Sequence, residues 1–97
     1  MGLPKTWLAW YMQLVLYTSA FCAPCAQARS VLADAERLVP QATVIERDVA
    51  RENVLAADDG IRMTPTVVVL DDSGAEVFRA AGVPTLNQVL AAAAKAL

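Results

Sequence analysis

Histidine is absent from this 97-residue sequence, and cysteine occurs only twice. Without imidazole the chain cannot form a Cys-His or Ser-His nucleophile pair, or any zinc site that needs a histidine ligand. Two thiols cannot complete a four-cysteine site either, so a metal would need a second subunit or an external ligand such as glutathione. The two cysteine thiols are therefore the first candidates for reactive groups in this chain.

Clustered positive charge is also missing. Eight Lys and Arg residues stand against ten Asp and Glu residues, which gives a net charge of -2, and no run of basic residues occurs. Nucleic-acid binding depends on cations that displace counterions from phosphates, so we expect no nucleic-acid partner. A chain of this length with 57% hydrophobic residues suits one compact domain, which we expect to be a monomer.

An apolar stretch occupies much of the first third of the chain, from Trp7 to Ala26. A secretory signal peptide is one interpretation, because 26–28 resembles a small-residue cleavage site. Cleavage there would discard both cysteines, however, and polar residues interrupt the stretch, which also argues against a membrane span. We expect a cytoplasmic protein that does not contact the membrane.

The chain divides into an N-terminal extension, residues 1–12, and one folded domain, residues 13–97. In the extension, Trp7, Trp10 and Tyr11 are expected to pack against the domain, with an exposed surface for a partner as the alternative. Neither internal repeats nor low-complexity linkers divide the remaining sequence.

Seven segments follow one another in the domain as strand, helix, strand, helix, strand, strand, helix. Apolar residues at three- and four-residue spacing predict the first helix, which Pro40 ends, and residues 71–74 form a turn signal between the last two strands. A right-handed crossover makes the first two strands parallel, whereas the hairpin is antiparallel. The prediction is an α/β fold with a mixed sheet between helices. The strands are expected at 13–18, 43–49, 66–70 and 75–80, and the helices at 22–39, 53–58 and 85–96.

Cys22 and Cys25 lie where the first strand gives way to the first helix. The first turn of a helix presents unpaired N–H groups and the positive end of the dipole, which stabilise a thiolate. In such C-x-x-C sites the thiol pKa falls from about 8.5 to roughly 3.5–7.5. Cys25, one turn further in, is expected to be less exposed and close enough to bond to Cys22. A working dithiol, a structural disulfide and half of a metal site all fit these residues.

The segment Phe21-Cys22-Ala23-Pro24-Cys25 resembles the active site of the thioredoxin superfamily, with phenylalanine for the usual tryptophan and alanine for the usual glycine. Thr64-Pro65-Thr66 is similar to the stretch that carries the family's cis-proline, and Pro65 lies 65 − 25 = 40 residues after Cys25. An apolar strand, a hairpin and an amphipathic helix then follow in family order. The resemblance covers residues 13–97 and implies a minimal four-stranded thioredoxin-like fold, βαβαββα.

In this resemblance Cys22 is the attacking thiolate and Cys25 is the thiol that resolves the mixed disulfide. Pro65, expected in cis, would bring its loop against Cys22, and Thr64 would pair with the main chain of the substrate. The implied substrate contacts are Phe21, Ala23, Pro24, Thr64 and Pro65. The resemblance thus implies a thiol-disulfide oxidoreductase that reduces protein disulfides. It would use no cofactor beyond the disulfide between its two cysteines and no metal, and would receive electrons from a thioredoxin-reductase-like donor.

Two further positions depart from the family pattern. The aspartate that many thioredoxins bury six residues before the nucleophile is Leu16 here, and the lysine that accompanies it aligns with Val44. Proton transfer from Cys25 therefore lacks its usual groups, and either water or a neighbouring carboxylate such as Glu46 or Asp48 would have to substitute.

Three other functions stay open at this point. A glutaredoxin-like role would use glutathione, although residues 82–87 lack the glycine-rich, acidic signature of glutaredoxins. Alternatively, the cysteines of two subunits would hold a metal or an iron-sulfur cluster across a dimer. The last possibility is a non-catalytic interaction module in which the disulfide is passive.

Overall fold

The computed structural model describes residues 11–97, which form four strands and three helices in the predicted order. Every element begins and ends within one residue of its prediction. The predictions for Trp7 and Trp10 lie outside the described residues. The strands are β1 (Met12–Thr18), β2 (Ala42–Asp48), β3 (Thr66–Leu70) and β4 (Glu76–Ala81), and the helices are α1 (Ala23–Leu38), α2 (Asn53–Asp58) and α3 (Leu86–Ala96).

The strands form one sheet in the order β2-β1-β3-β4. β1 runs parallel to β2 and antiparallel to β3, and β3 pairs antiparallel with β4. The predicted mixed four-stranded sheet is therefore confirmed, and β2 lies at one edge of it. At the centre of the sheet, Leu16 of β1 lies between Glu46 of β2 and Val67 of β3.

Apolar side chains cover both faces of the sheet, because the residues of the central strands alternate between them. Leu14 and Leu16 pack on one face, with buried residues of α1 and α3 such as Leu32 and Val89. Val15 packs on the other face, in a smaller cluster that includes Ala56 of α2. Helices thus flank both faces as predicted. Among residues 11–97, no helix has both the length and the apolar character needed to cross a membrane.

A polar network beneath α2 fastens that helix to the sheet. Tyr17 is fully buried, its hydroxyl donates to the carboxylate of Asp59 at the end of α2, and it accepts a hydrogen bond from Arg47 Nη1 at 2.9 Å. The same Arg47 nitrogen lies 3.8 Å from Asp59 Oδ2. Burial, together with the bond to Asp59, raises the pKa of Tyr17 above its usual 10.0. Sequence analysis did not detect this network, whose members lie far apart in the chain.

Replacing Tyr17 with phenylalanine should lower the free energy of unfolding by about 1–2 kcal/mol, because Asp59 and Arg47 lose their shared hydroxyl but keep each other. Urea denaturation at pH 7 measures this change. Because the pKa of Tyr17 is raised in the folded state, the native protein should lose stability as the pH rises from 10.0 to the pKa of Tyr17 in the folded protein. The variant has no hydroxyl to ionise, so it should lose less stability over the same pH range. Identical urea midpoints for the two proteins at pH 7 would contradict the prediction.

Candidate active site

The two cysteines lie at the start of α1, at the end of the sheet where β1 finishes. Cys22 is the N-cap residue and its backbone is still extended (φ -106°, ψ 96°). Pro24 occupies the first turn of the helix, where a missing N–H costs no hydrogen bond. The Sγ atoms of Cys22 and Cys25 form a disulfide between Cα atoms 5.3 Å apart. Cys25 is only 2% exposed, whereas Cys22 is half-buried. Cys22 is therefore the sulfur that another molecule can reach.

The start of α1 is electrostatically suited to a negative sulfur. The first turn contains no acidic residue, and no side chain caps the helix, so its N–H groups are not neutralised by a carboxylate. The N–H of Cys25 donates to the carbonyl of Cys22 at 3.1 Å. Once the disulfide is reduced, the remaining N–H groups and the dipole of this 16-residue helix favour a thiolate at Cys22.

The predicted proline loop lies at the same end of the sheet. Antiparallel pairing of β1 with β3 sets Tyr17, near the end of β1, opposite Thr66 at the start of β3. The peptide bond between Thr64 and Pro65 is cis, as the sequence resemblance implied. Pro65 is buried, and its carbonyl accepts a hydrogen bond from the N–H of Gly82 at 2.8 Å. The cysteine loop (residues 19–22), the proline loop (residues 61–65) and the end of β4 therefore lie at the same end of the sheet.

Exposed apolar side chains flank these loops. Phe21, next to Cys22, is fully exposed and has a φ of +58°, a left-handed conformation that is unusual for a bulky residue. Met63, two residues before Pro65, is 48% exposed, and Val83, just after the end of β4, is 38% exposed. Single exposed apolar side chains are normal on a monomer, and it is the position of these three around the two loops that makes them candidates for substrate contact.

Each predicted substrate-contact residue has a defined place around the disulfide. Ala23 and Pro24 are exposed in the first turn of α1, and Thr64 is half-buried in the proline loop. A shallow cavity of about 210 Å³ adjoins that loop. Its lining residues are Val49, Ile61, Arg62, Met63 and Thr64. The predicted contact residues thus lie at one end of the sheet, with Pro65 buried and the others at least partly exposed, and their contacts with substrate stay a prediction.

Leu16 is fully buried where many relatives carry an aspartate, and Glu46 lies directly opposite it in β2. The Glu46 carboxylate accepts two hydrogen bonds from Arg29 of α1, at 2.7 and 2.8 Å, and one from the Thr18 hydroxyl at 3.2 Å. The hydrogen bonds from Arg29 hold the pKa of Glu46 below its usual range. Arg29 was not identified from the sequence, since its partner lies 17 residues away.

Asp48, the second carboxylate that the sequence offered as a substitute base, stabilises the turn after β2. Its Oδ1 accepts hydrogen bonds from the N–H groups of Ala50 at 2.8 Å and Arg51 at 3.3 Å. Both candidate carboxylates therefore accept hydrogen bonds, Glu46 on both of its oxygens and Asp48 on Oδ1.

Sequence analysis missed one polar contact of the site, a hydrogen bond between Ser19 Oγ and Thr64 Oγ1 at 2.6 Å. The available signal was weak: two hydroxyl residues lie near the ends of strands that the fold makes neighbours, but 45 residues separate them. Only the pairing of β1 with β3 brings them together.

Solved structures of other proteins share this fold. A malarial protein of solved structure shares 15% identity with this chain, at a TM-score of 0.79 over 90% of this chain and 98% of that one. A mutant thioredoxin from Halobacterium salinarum shares 24% identity, at 0.79 over 88% and 74%. The thioredoxin of Fasciola hepatica shares 21% identity, at 0.77 over 90% and 82%. These likenesses show the fold.

The sequence itself gives the assignment. No curated protein matches it significantly. The family model described as Thioredoxin, however, matches residues 9–95, which is nearly the whole chain and includes both cysteines and the cis-proline. The chain therefore belongs to the thioredoxin family.

Proposed function

We propose that this protein reduces disulfide bonds of other proteins through a cycle of Cys22 and Cys25. The observation that carries the proposal is the asymmetry of the pair: the two sulfurs are bonded to each other, with Cys22 half-buried at a helix N-cap and Cys25 buried behind it. A passive disulfide does not need one accessible sulfur in a site that favours a thiolate. A thioredoxin-like redox function needs both properties.

The cycle begins with the reduced protein. The Cys22 thiolate attacks one sulfur of a substrate disulfide, forms a mixed disulfide, and releases the second substrate sulfur as a thiolate that takes up a proton. Cys25 then loses its proton and attacks Cys22, which releases the first substrate sulfur. The substrate gains two electrons and two protons, and the protein is left with the Cys22–Cys25 disulfide that the structure contains.

Deprotonation of Cys25 is the step for which this chain lacks the usual residue. Leu16 contributes no acid or base, and the bidentate bond from Arg29 makes Glu46 a weaker proton acceptor, since it lowers the pKa of the carboxyl. We therefore assign the proton to solvent water that enters as the mixed disulfide holds the site open. The resolving step is expected to be slower than one assisted by a buried carboxylate.

The substrate side of the proposal rests on the exposed apolar surface around Cys22. Phe21, Met63 and Val83 offer a protein partner apolar contacts that a small molecule would not need. Thr64 and Pro65 would align an extended substrate segment, and Ala23 with Pro24 would form the edge of the contact beyond Cys22. The substrate is therefore proposed to be an unfolded or loop segment that contains a disulfide.

The proposal also includes an electron donor and a cellular setting. Every turnover leaves the protein oxidised, so a thioredoxin-reductase-like donor must return two electrons. We propose that the protein acts as a monomer in the cytoplasm, where thiols are kept reduced, with no nucleic-acid or membrane partner and no cofactor other than its own disulfide.

Insulin reduction tests the proposal. With thioredoxin reductase or dithiothreitol as the electron source, catalytic amounts of the protein should accelerate the precipitation of insulin B chains well above the rate without protein. The control is the same protein reduced and then alkylated with iodoacetamide, which should give the background rate. Failure of the reduced, unalkylated protein to exceed that control would sink the proposed function.

The reduction potential decides the direction of the reaction. Equilibration with glutathione should give a value between about -220 and -320 mV, the range of the cytosolic poise, if the protein is a reductant. A value near about -120 mV, typical of a strong oxidant, would indicate an oxidase or isomerase instead. A brown or zinc-loaded dimer, with thiols that resist alkylation until a chelator is added, would favour the metal-binding alternative.

A further inference from the structure

The hydrogen bond between Ser19 and Thr64 joins the two loops on which the proposed function depends. Ser19 lies three residues before Cys22, and Thr64 immediately precedes the cis Pro65. Their hydroxyl oxygens are 2.6 Å apart in a half-buried setting, so one hydroxyl donates and the other accepts. In the part of the chain from 11 to 97, this is the only hydrogen bond between segments 19–22 and 61–65.

Other hydrogen bonds hold the proline loop from its far side. The N–H of Gly82 donates to the carbonyl of Pro65 at 2.8 Å, and the hydroxyl of Thr66 donates to the carbonyl of Met63 at 2.7 Å. These bonds fix the loop to the end of β4 and to its own strand. Neither reaches the cysteine segment, so beyond the pairing of β1 with β3 the Ser19–Thr64 bond is the hydrogen bond that links the two loops.

The cysteine segment needs such a restraint. After Ser19 the chain passes through Ala20 and Phe21, which are both exposed, before α1 begins beyond Cys22. Phe21 has a φ of +58°, a conformation that a bulky residue keeps only where its surroundings hold it. A side-chain bond at the base of this turn limits how far the Cys22 end can move away from the proline loop.

We propose that Ser19 is a positioning residue that, through Thr64, sets the spacing between the cysteine loop and the proline loop for protein substrates. The inference rests on the proposed function, because it concerns the segment that would lie between these loops during disulfide exchange. Attack requires the Cys22 sulfur in line with the substrate disulfide, and a displacement of about 1 Å can cost roughly a hundredfold in rate. A small disulfide does not span both loops and is therefore insensitive to their spacing.

Steady-state kinetics on two substrates test the inference. Ser19→Ala and Thr64→Val should each lower kcat/KM for insulin by about three- to tenfold, the equivalent of one hydrogen bond, mainly through a higher KM. The rate of Ser19→Ala with 5,5′-dithiobis(2-nitrobenzoate) and its pH profile of Cys22 alkylation should match those of the unmodified protein. The double variant should be no worse than either single one, because both remove the same bond.

Two further variants serve as controls. Thr64→Ser restores a hydroxyl and should recover the KM that Thr64→Val loses. Ser30→Ala, a matched change at an exposed position of α1, should leave the insulin kinetics as they are. Thermal denaturation of every variant establishes that the proteins being compared are folded at the assay temperature.

The outcomes separate the inference from the proposed function. If the unmodified protein reduces neither substrate, the proposed function fails. If it reduces both and Ser19→Ala keeps its full kcat/KM for insulin, the positioning role alone is wrong. Equal losses on insulin and on the small disulfide, or a shifted alkylation profile, would also overturn the inference, because Ser19 would then act on the reactivity of Cys22 itself.

Discussion

Replacement of Cys22 by serine should reduce insulin reduction to the background rate, a loss on the order of 10³-fold or more. A serine hydroxyl is not ionised at neutral pH, so the dipole at the start of α1 has no anion to stabilise and no nucleophile remains. Cys25 cannot take over the attack, since only 2% of its surface is exposed. The measurement is the insulin assay, with circular dichroism to establish that the fold is retained.

The matched variant Cys25→Ser should behave in the opposite way. Attack by Cys22 remains possible, but nothing displaces the substrate, so the protein should accumulate as a mixed disulfide that mass spectrometry detects and dithiothreitol releases. Full activity in Cys22→Ser would refute the assigned roles. Adducts trapped on Cys25 in Cys22→Ser, rather than on Cys22 in Cys25→Ser, would reverse them.

Introducing the acid that many relatives carry should severely destabilise this protein. Leu16→Asp removes a fully buried leucine from the cluster between the sheet and α1, and it places a carboxyl where no polar partner was provided. The combined cost should be about 4 kcal/mol or more, a large part of the total stability of a small domain. Urea denaturation at pH 7 should show most of this loss.

The pH dependence identifies the cause of that loss. Burial raises the pKa of the new aspartate above its usual value of about 3.9, so the variant is least impaired at or below that pH and loses stability as the pH rises through the folded-state pKa. Leu16→Asn introduces a side chain of the same size as aspartate but without a titrating group. Its loss of stability relative to the unmodified protein should therefore be the same at all pH values. A parallel pH response in the two variants would show that ionisation is not involved.

A second substitution tests whether the family's ion pair can be rebuilt. Val44 is half-buried against the same cluster as Leu16. Adding Val44→Lys to Leu16→Asp should recover part of the lost stability at pH 7, because the lysine supplies a charge partner for the aspartate. Val44→Met, which also adds length but carries no charge, should give no such recovery.

Most of the fold was predictable because its determinants are local in the sequence. The apolar spacing of α1 and its end before Pro40, and the β-branched run of β3, depend on residues within a few positions of one another. Gly60 illustrates the same point: it lies just after the end of α2 and has a φ of +68°, a left-handed conformation that glycine adopts readily. Once the seven segments were assigned, their order along the chain, βαβαββα, was that of a thioredoxin-like fold.

The polar contacts of the site were not predictable in this way. Glu46 was singled out for its charge alone, and its lowered pKa comes from Arg29, which lies on a different element. Tyr17 lies within the predicted first strand, but its partners Arg47 and Asp59 are 30 and 42 residues away. The strength of such contacts depends on distances of a few tenths of an ångström, which no sequence pattern contains.

The sequence by itself determined which atoms can do chemistry. Two thiols three positions apart at a helix start, with no histidine anywhere, made Cys22 and Cys25 the candidate site, and the resemblance to the thioredoxin superfamily implied their roles and the proline loop beside them. Tertiary structure alone decided which side chains link that loop to the cysteine segment. Ser19 and Thr64 meet only because β1 and β3 pair side by side, and strand pairing is a long-range interaction that local sequence does not specify.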